Sequence, residues 1–233
     1  MKQTTFNWAK ARGIMSKTLC YVMIATAIVS FSSCSDDDDD NNNGGGTTGQ
    51  FTSLQVNLAN GSQYTDIATV VAGDLYEPYS NVANYNNGNF TLQMLTPATE
   101  DLYLFAEYAP SEVTFSDANV KVAMFDDIAC YDANADQIAD ISYHSSHGEV
   151  TFIYADRDCN ITGTYSEEDY INNCNLQLKK GWNKMYMFAN ADETVMTVTT
   201  TAQSGFQWDI DYWNTDTEKT SAQRPETKGF WKF

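Results

Sequence analysis

The chain has 233 residues, of which 42% are hydrophobic and 19% are charged. This composition is sufficient for a buried core and argues against disorder along the whole chain. Acidic residues number 31 and basic residues 13, which gives a formal net charge of -18. Such a chain repels phosphate backbones, so we do not expect a nucleic-acid binder.

The N-terminal region has the composition of a secretory signal. An apolar run occupies residues 19–29, which is too short to span a bilayer but typical of the apolar core of a signal. The basic residues that precede the first acidic residue are Lys2, Lys10, Arg12 and Lys17. Met15 is an alternative start to Met1, because residues 15–17 also make an ordinary basic beginning.

Ser32, Ser33 and Cys34 follow the apolar run. This order of residues resembles the lipobox of bacterial lipoproteins, in which the signal is cut before the cysteine and lipids are attached to it. The resemblance implies a signal peptide at residues 1–33, lipidation at Cys34 and an anchor in a membrane. The alternative is an unlipidated signal with an incidental cysteine.

Residues 36–40 are all aspartate, and Asn and Gly runs follow up to residue 46. Because like charges repel and glycine adds freedom, residues 34–50 are predicted to form a flexible acidic tether. An acidic run after the lipidated cysteine also resembles the export signal of surface lipoproteins in the Bacteroidota. That resemblance implies a protein on the outer membrane that faces outward. A plain spacer, with the protein facing the periplasm, is the alternative.

Residues 51–233 are predicted to form one all-β domain. Short runs rich in Val, Ile, Thr, Tyr and Phe alternate with turn signals, and no convincing helical period is present. The predicted strands are 51–58, 90–95, 102–108, 120–125, 138–143, 150–154, 160–165, 176–179, 182–188, 195–201 and 229–233. Asn60-Gly61 is a predicted hairpin turn. We expect an antiparallel β-sandwich, immunoglobulin-like or related, with a small closed barrel as the alternative.

Three segments within this region, residues 152–158, 160–164 and 178–184, resemble small all-β lipoproteins of the Bacteroidota. The resemblance extends over roughly residues 50–233. It implies the fold class and the cellular address, and it supplies no catalytic motif and no site residues.

Three cysteines remain after removal of the signal and lipidation: Cys130, Cys159 and Cys174. If a hairpin turns near Ser166-Glu167, Cys159 and Cys174 lie opposite each other, at about 4.5–5.5 Å between Cβ atoms. This distance is near disulfide reach, and an exported protein meets an oxidising compartment. We predict a Cys159–Cys174 disulfide and a buried free thiol at Cys130. Three reduced, buried cysteines are the alternative.

Asp132, Asn134, Asp136 and Asp140 place oxygen ligands at alternate positions, as a Ca²⁺ loop does. Position six of the loop holds Gln137 instead of glycine, and position twelve holds a tyrosine instead of an acid. Asp and Asn also suit an ordinary turn, because their side chains accept hydrogen bonds from nearby backbone N–H groups. A turn is therefore the preferred interpretation, with calcium as the alternative and no other cofactor expected.

Residues 203–228 are predicted to form a long loop, and long loops in small domains are often functional. The candidate ligand-binding residues in it are Trp208, Asp209, Asp211, Tyr212 and Trp213. Exposed aromatic rings can stack on a sugar, and carboxylates can accept hydrogen bonds from its hydroxyls. The alternative is that Trp208 and Tyr212 are strand residues that pack in the core.

Taken together, these patterns favour a non-enzymatic, surface-anchored module that binds an external ligand, with a glycan as the first candidate. A structural or adhesive component of the cell envelope, with an envelope protein as its partner, is the second hypothesis. A hydrolase with a carboxylate site is the third, since such chemistry needs two carboxylates across a cleft. The two histidines and the absence of a G-x-S-x-G motif give little basis for a serine triad.

Overall fold

The computed structural model describes residues 51–73, 78–167 and 170–212, apart from the side chain of Glu167. Within these ranges the chain forms β-strands and three short 3₁₀ turns, Gly61–Gln63, Thr99–Asp101 and Phe105–Glu107, with no α-helix. The all-β, sandwich-like class predicted from the sequence is confirmed. The predicted strand 229–233 lies outside the described residues.

Fifteen strands make up the described part of the chain. They are β1 Ser53–Asn57, β2 Thr69–Ala72, β3 Ala83–Asn84, β4 Asn89–Gln93, β5 Tyr103–Leu104, β6 Thr114–Phe115, β7 Lys121–Phe125, β8 Asp127–Tyr131, β9 Gln137–Ser145, β10 Gly148–Ala155, β11 Cys159–Glu167, β12 Tyr170–Leu178, β13 Gly181–Ala189, β14 Val195–Thr199 and β15 Gln207–Tyr212.

One layer is formed by five strands in the order β3-β2-β8-β9-β15, all antiparallel to their neighbours. β1 and β4 form a separate antiparallel pair with Leu54 opposite Leu92. Leu54 and Val56 of β1 and Phe90 and Leu92 of β4 are buried in the same core as the five-stranded layer. The β1–β4 pair therefore packs on the inner face of the domain.

A second run of strands has the order β5-β7-β10-β13-β14-β12-β11-β6. The two end strands, β5 and β6, come together. β5 pairs with β7, which is joined to β6 by residues 116–120 alone, and the rings of Phe105 and Phe115 lie 5.8 Å apart. We call this run the curled sheet. The sheet is mixed, since β12 and β14 are parallel, which departs from the purely antiparallel arrangement expected from the sequence.

The main core lies between the five-stranded layer, the β1–β4 pair and one face of β7, β10 and β13. Aromatic rings fill its centre. Phe125 stacks on Phe152 with centroids 4.9 Å apart, and Trp182 meets Phe125 edge-on at 5.4 Å. The Trp182 indole also donates a 2.7 Å hydrogen bond from Nε1 to the Leu95 carbonyl, so this ring ties the segment after β4 to β13.

The opposite face of the curled sheet is also buried. Alternation along the strands directs one set of side chains away from the main core, on the concave side of the curl. The buried members of this set include Ile153, Ile161, Leu176, Leu178, Met185, Met187, Met196 and Val198. We call the space that they fill the curled-sheet interior.

Two local predictions are wrong. Asn60-Gly61 does not turn a hairpin, because β1 pairs with β4 and Gly61 begins a 3₁₀ turn. Gly61 is instead a site of close approach, since a Cβ built on it would lie 2.2 Å from Gly88 Cα. The predicted strand 102–108 is mostly a 3₁₀ turn, and only Tyr103 and Leu104 pair with β7.

Candidate functional site

The region expected to be a long loop begins as a strand. Gln207 to Tyr212 form β15, which pairs along its length with β9, so this part of the prediction is wrong. Trp208 stacks on Phe152 with centroids 5.9 Å apart and contacts Tyr143 at 4.8 Å. The alternation of apolar and polar residues from 207 to 212 explains the strand, because period-two patterns form half-buried strands.

The aromatic candidates on β15 face inward. Trp208 and Tyr212 are half-buried and pack against the main core. Tyr212 lies 5.2 Å from Tyr64, centroid to centroid, and its hydroxyl donates a hydrogen bond to the Asp66 carboxylate. Trp208 and Tyr212 are thus strand residues packed against the core, which is the alternative that the sequence analysis gave for them. Trp213 lies outside the described residues.

The acidic candidates on β15 face outward. Asp209 and Asp211 are exposed on the opposite face of the strand from Trp208 and Tyr212. A sugar stacked on the aromatic residues would therefore not reach these two carboxylates. The structure does not bring the five predicted residues together in one site.

Asp209 and Asp211 instead share a surface with residues of β9. Asp211 is directly opposite Asp140, and Asp209 is opposite Ser142. His144 Nε2 lies 3.3 Å from Asp209 Oδ2, and the side chains are 26% and 59% exposed, respectively. We call this outward surface, formed by Asp140, Ser142, His144, Asp209 and Asp211, the acidic face.

The acidic face has several acceptors already oriented by the chain. Asp209 Oδ1 accepts a 2.9 Å hydrogen bond from the backbone N–H of Ile210. Asp140 Oδ1 accepts a 2.8 Å bond from Gln137 Nε2. Like charges directly opposite each other on two strands are unfavourable, so Asp140 and Asp211 form a pair that a hydroxyl donor or a cation would stabilise. Sequence reasoning did not connect Ser142 and His144 with these carboxylates, although their period-two spacing with Asp140 was a usable signal.

The Asp132 segment is a turn held by its own carboxylate. Asp132 Oδ1 accepts hydrogen bonds from the backbone N–H groups of Asn134 at 2.8 Å and Asp136 at 2.9 Å. The bond from Asp136 and those from Asn134 lower the pKa of Asp132 despite the cost of desolvation. Asp140 lies apart from the turn, on β9. Among the described residues, no group of three or more His, Cys, Asp or Glu side chains could hold a metal ion.

The predicted Cys159–Cys174 disulfide is wrong. All three cysteines of the described domain are buried free thiols: Cys130, Cys159 and Cys174. The prediction gave a free thiol at Cys130 alone. The predicted hairpin exists, but Cys159 is opposite Leu178 and Cys174 is opposite Gly163. The strands extend to Glu167 and from Tyr170, so the turn lies about two residues later than expected. Four residues of strand separate the two positions by about 13 Å, far beyond disulfide reach.

Most basic residues of the described domain lie at one end. Arg157 forms ion pairs with Asp117 at 3.1 Å and Asp156 at 3.0 Å, and Lys179 pairs with Asp158 at 3.0 Å. The backbone N–H of Lys180 and the Lys179 ammonium lower the pKa of Asp158. We call this end, with Lys121, Arg157, Lys179 and Lys180, the basic end.

Asn172 is a residue that the sequence interpretation did not single out. Its side chain lies in the curled-sheet interior and is 1% exposed. Neither its Oδ1 nor its Nδ2 has a hydrogen-bond partner among the described residues. The alternation from Asn172 through Cys174, Leu176 and Leu178 was a signal that could have placed it on the inward face.

Compared with family models, with curated proteins and with solved structures, the chain matches none of them. In the part of the chain that the structure describes, no helix has the length and apolar character needed to cross a membrane.

Proposed function

We propose that the protein is a lipoprotein of the outer membrane, anchored through Cys34 and facing outward, whose domain is a non-enzymatic module that binds an external glycan. The acidic face is its binding surface. The N-terminal resemblance to surface lipoproteins supports the address, and the geometry of the described domain supports the site.

The observation that carries the proposal is the position of the acidic face relative to the start of the domain. The described chain begins at Phe51, whose backbone N–H donates a 3.3 Å hydrogen bond to the Trp182 carbonyl. Trp182 pairs with Tyr154, near the end of β10, whereas His144 pairs with Glu149 at the other end. About 17 Å of strand separates Tyr154 from Glu149. Phe51, where the described chain begins, is therefore bonded near one end of β10, and the His144–Asp209 pair lies at the other end.

The chemistry of the acidic face suits a ligand rich in hydroxyl groups. Carboxylates and a serine hydroxyl accept hydrogen bonds, and bonds to a charged acceptor are the stronger kind. The Lys and Arg residues between positions 51 and 212 lie elsewhere. Four are at the basic end, and the Lys184 ammonium sits 5.7 Å from the centroid of the inward-facing Tyr143 ring. Asp209 pairs with His144 and keeps a side chain that is 59% exposed to a ligand.

A glycan array tests the site. Purified mature protein in detergent is applied with and without Ca²⁺, beside the double variant Asp209→Asn, Asp211→Asn. We expect the variant to bind at least about tenfold more weakly, since two charge-assisted acceptors are lost. The matched control is Glu100→Gln, Asp101→Asn, which changes two exposed acids on a 3₁₀ turn by the same charge. Absence of binding to any glycan, or an equal loss in the control, would refute the glycan proposal.

The address is tested separately. Cells that express the full chain are labelled with a lipid analogue and then treated with external protease. We expect a labelled protein that the protease removes, and no label on the Cys34→Ala variant. Label on that variant would exclude Cys34 as the anchor, and full protection from protease would place the domain in the periplasm.

An assembly role is the second candidate, and one observation bears on it. Within the described residues β15 pairs with β9 alone, so its outer edge could accept a strand from another protein. Asp209 and Asp211 alternate along that edge strand, and charged residues on edge strands oppose such pairing. The glycan proposal is therefore preferred.

A further inference from the structure

The side chain of Asn172 is the polar group that the described fold leaves unexplained. It is 1% exposed, and its amide oxygen and nitrogen both lack a hydrogen-bond partner within the described residues. Buried polar side chains almost always have a partner, because an unpaired donor or acceptor loses its bonds to water without replacement. The amide oxygen and nitrogen are therefore open to a partner from outside the described chain.

The strand register places Asn172 in the curled-sheet interior. Tyr165 of β11 is directly opposite on one side, and Met196 of β14 is directly opposite on the other. Both are buried, with exposed fractions of 6% and 4%. Cys174, two residues along β12, faces the same way, and its thiol donates weakly to the Ile161 carbonyl at 3.9 Å. These neighbours are thus apolar or already have a partner of their own.

The rest of this interior is adaptable. Met185 and Met187 of β13 and Met196 of β14 are buried on the same side of the sheet. Methionine side chains are unbranched and polarizable, so they repack around guests of different shapes. In contrast, Gly163 lines a tight wall, because a Cβ there would lie 2.7 Å from the Glu112 carbonyl oxygen. The methionine side of the interior is therefore the side that could repack around a guest.

Asn172 is also close to the surface along its own strand. Tyr170, where β12 begins, faces the same side of the sheet as Asn172 and is half-buried. Two residues of strand correspond to about 7 Å. A small molecule entering beside the start of β12 would reach the amide without crossing the main core.

From this geometry we propose a second binding site, distinct from the acidic face, in the curled-sheet interior. Its ligand is a small apolar molecule that carries one amide group. An amide matches Asn172, because it donates through N–H to Oδ1 and accepts through its carbonyl from Nδ2. The apolar part of the ligand lies among the methionines. Such a site has the usual composition of a small-molecule pocket, mostly apolar with few polar groups that fix orientation.

The test uses butyramide as the probe and butanone as its matched control, which has a carbonyl but no N–H. The mature protein is labelled with ¹⁵N-asparagine, and the Asn172 side-chain signal is assigned by its loss in Asn172→Leu. We expect butyramide to shift this signal saturably. We also expect butanone to bind about tenfold more weakly, because it can make one of the two hydrogen bonds.

Variants separate a ligand site from a structural role. The melting temperature of the wild type should rise with butyramide. Asn172→Leu keeps the number of side-chain heavy atoms and removes the unpaired polar group, so we expect a melting temperature about 2–8 °C higher without ligand and no further rise with butyramide, which is the response compared among variants. Asn175→Leu, on the outward face of the same strand, keeps the response. Asn172→Ala replaces the leucine variant should leucine not fit, and it also loses the response.

Three outcomes would overturn the proposal. The first is an Asn172 signal that no concentration of butyramide moves. The second is a water molecule that exchanges with the Asn172 amide protons and is not displaced by the probe. The third is an equal rise of the melting temperature with butyramide in the wild type and in the Asn172→Leu variant. None of these involves the acidic face, so failure here is distinguishable from failure of the glycan proposal.

Discussion

Replacement of Trp182 by phenylalanine isolates the contribution of one buried hydrogen bond to stability. Trp182 is 3% exposed, and its Nε1 donates to the Leu95 carbonyl at 2.7 Å. Tyr79 and Tyr154 each lie 5.6 Å from its ring. Phenylalanine keeps an aromatic ring at this position but removes the donor and part of the buried surface.

The two losses can be estimated separately. The hydrogen bond contributes about 1 kcal/mol net. Leu95 is 38% exposed, so its carbonyl can accept a bond from water instead, which keeps this share near the average. The smaller ring costs about 1–2 kcal/mol in lost burial and residual cavity. We therefore expect Trp182→Phe to lower the free energy of unfolding by about 2–3 kcal/mol.

Urea denaturation followed by far-ultraviolet circular dichroism measures the change, with an unchanged m-value as the sign that the unfolded state is unaffected. Trp208→Phe is the matched control, because Trp208 is half-buried and its indole N–H has no partner among the described residues. We expect the control to cost about 1 kcal/mol. Equal losses in the two variants would refute the assignment of a stabilising bond to Trp182.

Three further predictions concern other parts of the domain. Gly61→Ala should lower the free energy of unfolding by at least about 2 kcal/mol in a urea titration, because the alanine Cβ would lie 2.2 Å from Gly88 Cα. An unchanged midpoint would contradict that close approach. A thiol assay on the mature chain should find no reactive thiol in the native state. After unfolding it should find three, at Cys130, Cys159 and Cys174, whereas a single thiol would reveal a disulfide. In the folded state the pKa of the Asp117 and Asp158 carboxyls lies below its usual value, chiefly because each accepts a backbone hydrogen bond. The stability that these two carboxylates contribute is therefore present at neutral pH and is lost as the pH falls through the lowered pKa values. Arg157→Gln should weaken this acid-dependent loss, and a pH–stability curve identical to that of the wild type would contradict the prediction.

The sequence predicted three of the long strands, β10, β11 and β13, within one or two residues. The apolar and polar residues of β11 follow a period of two, whereas β10 is a run of β-branched and aromatic residues that is buried on both faces. β8 was missed, since it too is buried on both faces but is short and contains Ala and Cys, which are weaker strand signals. Burial on both faces depends on which strands stack against each other, and that is a property of the tertiary fold.

The candidate sites were harder to predict than the strands. The composition of β15 indicated aromatic and acidic residues together, but the strand conformation separates them onto opposite faces. The disulfide prediction failed by a small shift of the turn, because a change in register of a few residues moves every cross-strand pair. Asn172 stands in a polar run, and although its spacing with Cys174, Leu176 and Leu178 indicates the inward face, the sequence does not show that this face is covered.

The parallel pairing of β12 with β14 has a consequence for the order in which the domain folds. The hairpin of β11 and β12 can form once both strands have been synthesised. The other edge of β12 stays unpaired until β14, Val195–Thr199, lies beside it. Pairing between distant segments slows folding, because the loop between them must close before contacts compensate for its entropy. Met196 of β14 is directly opposite Asn172 on that edge. The covering of Asn172 therefore depends on a strand that comes two strands later in the chain.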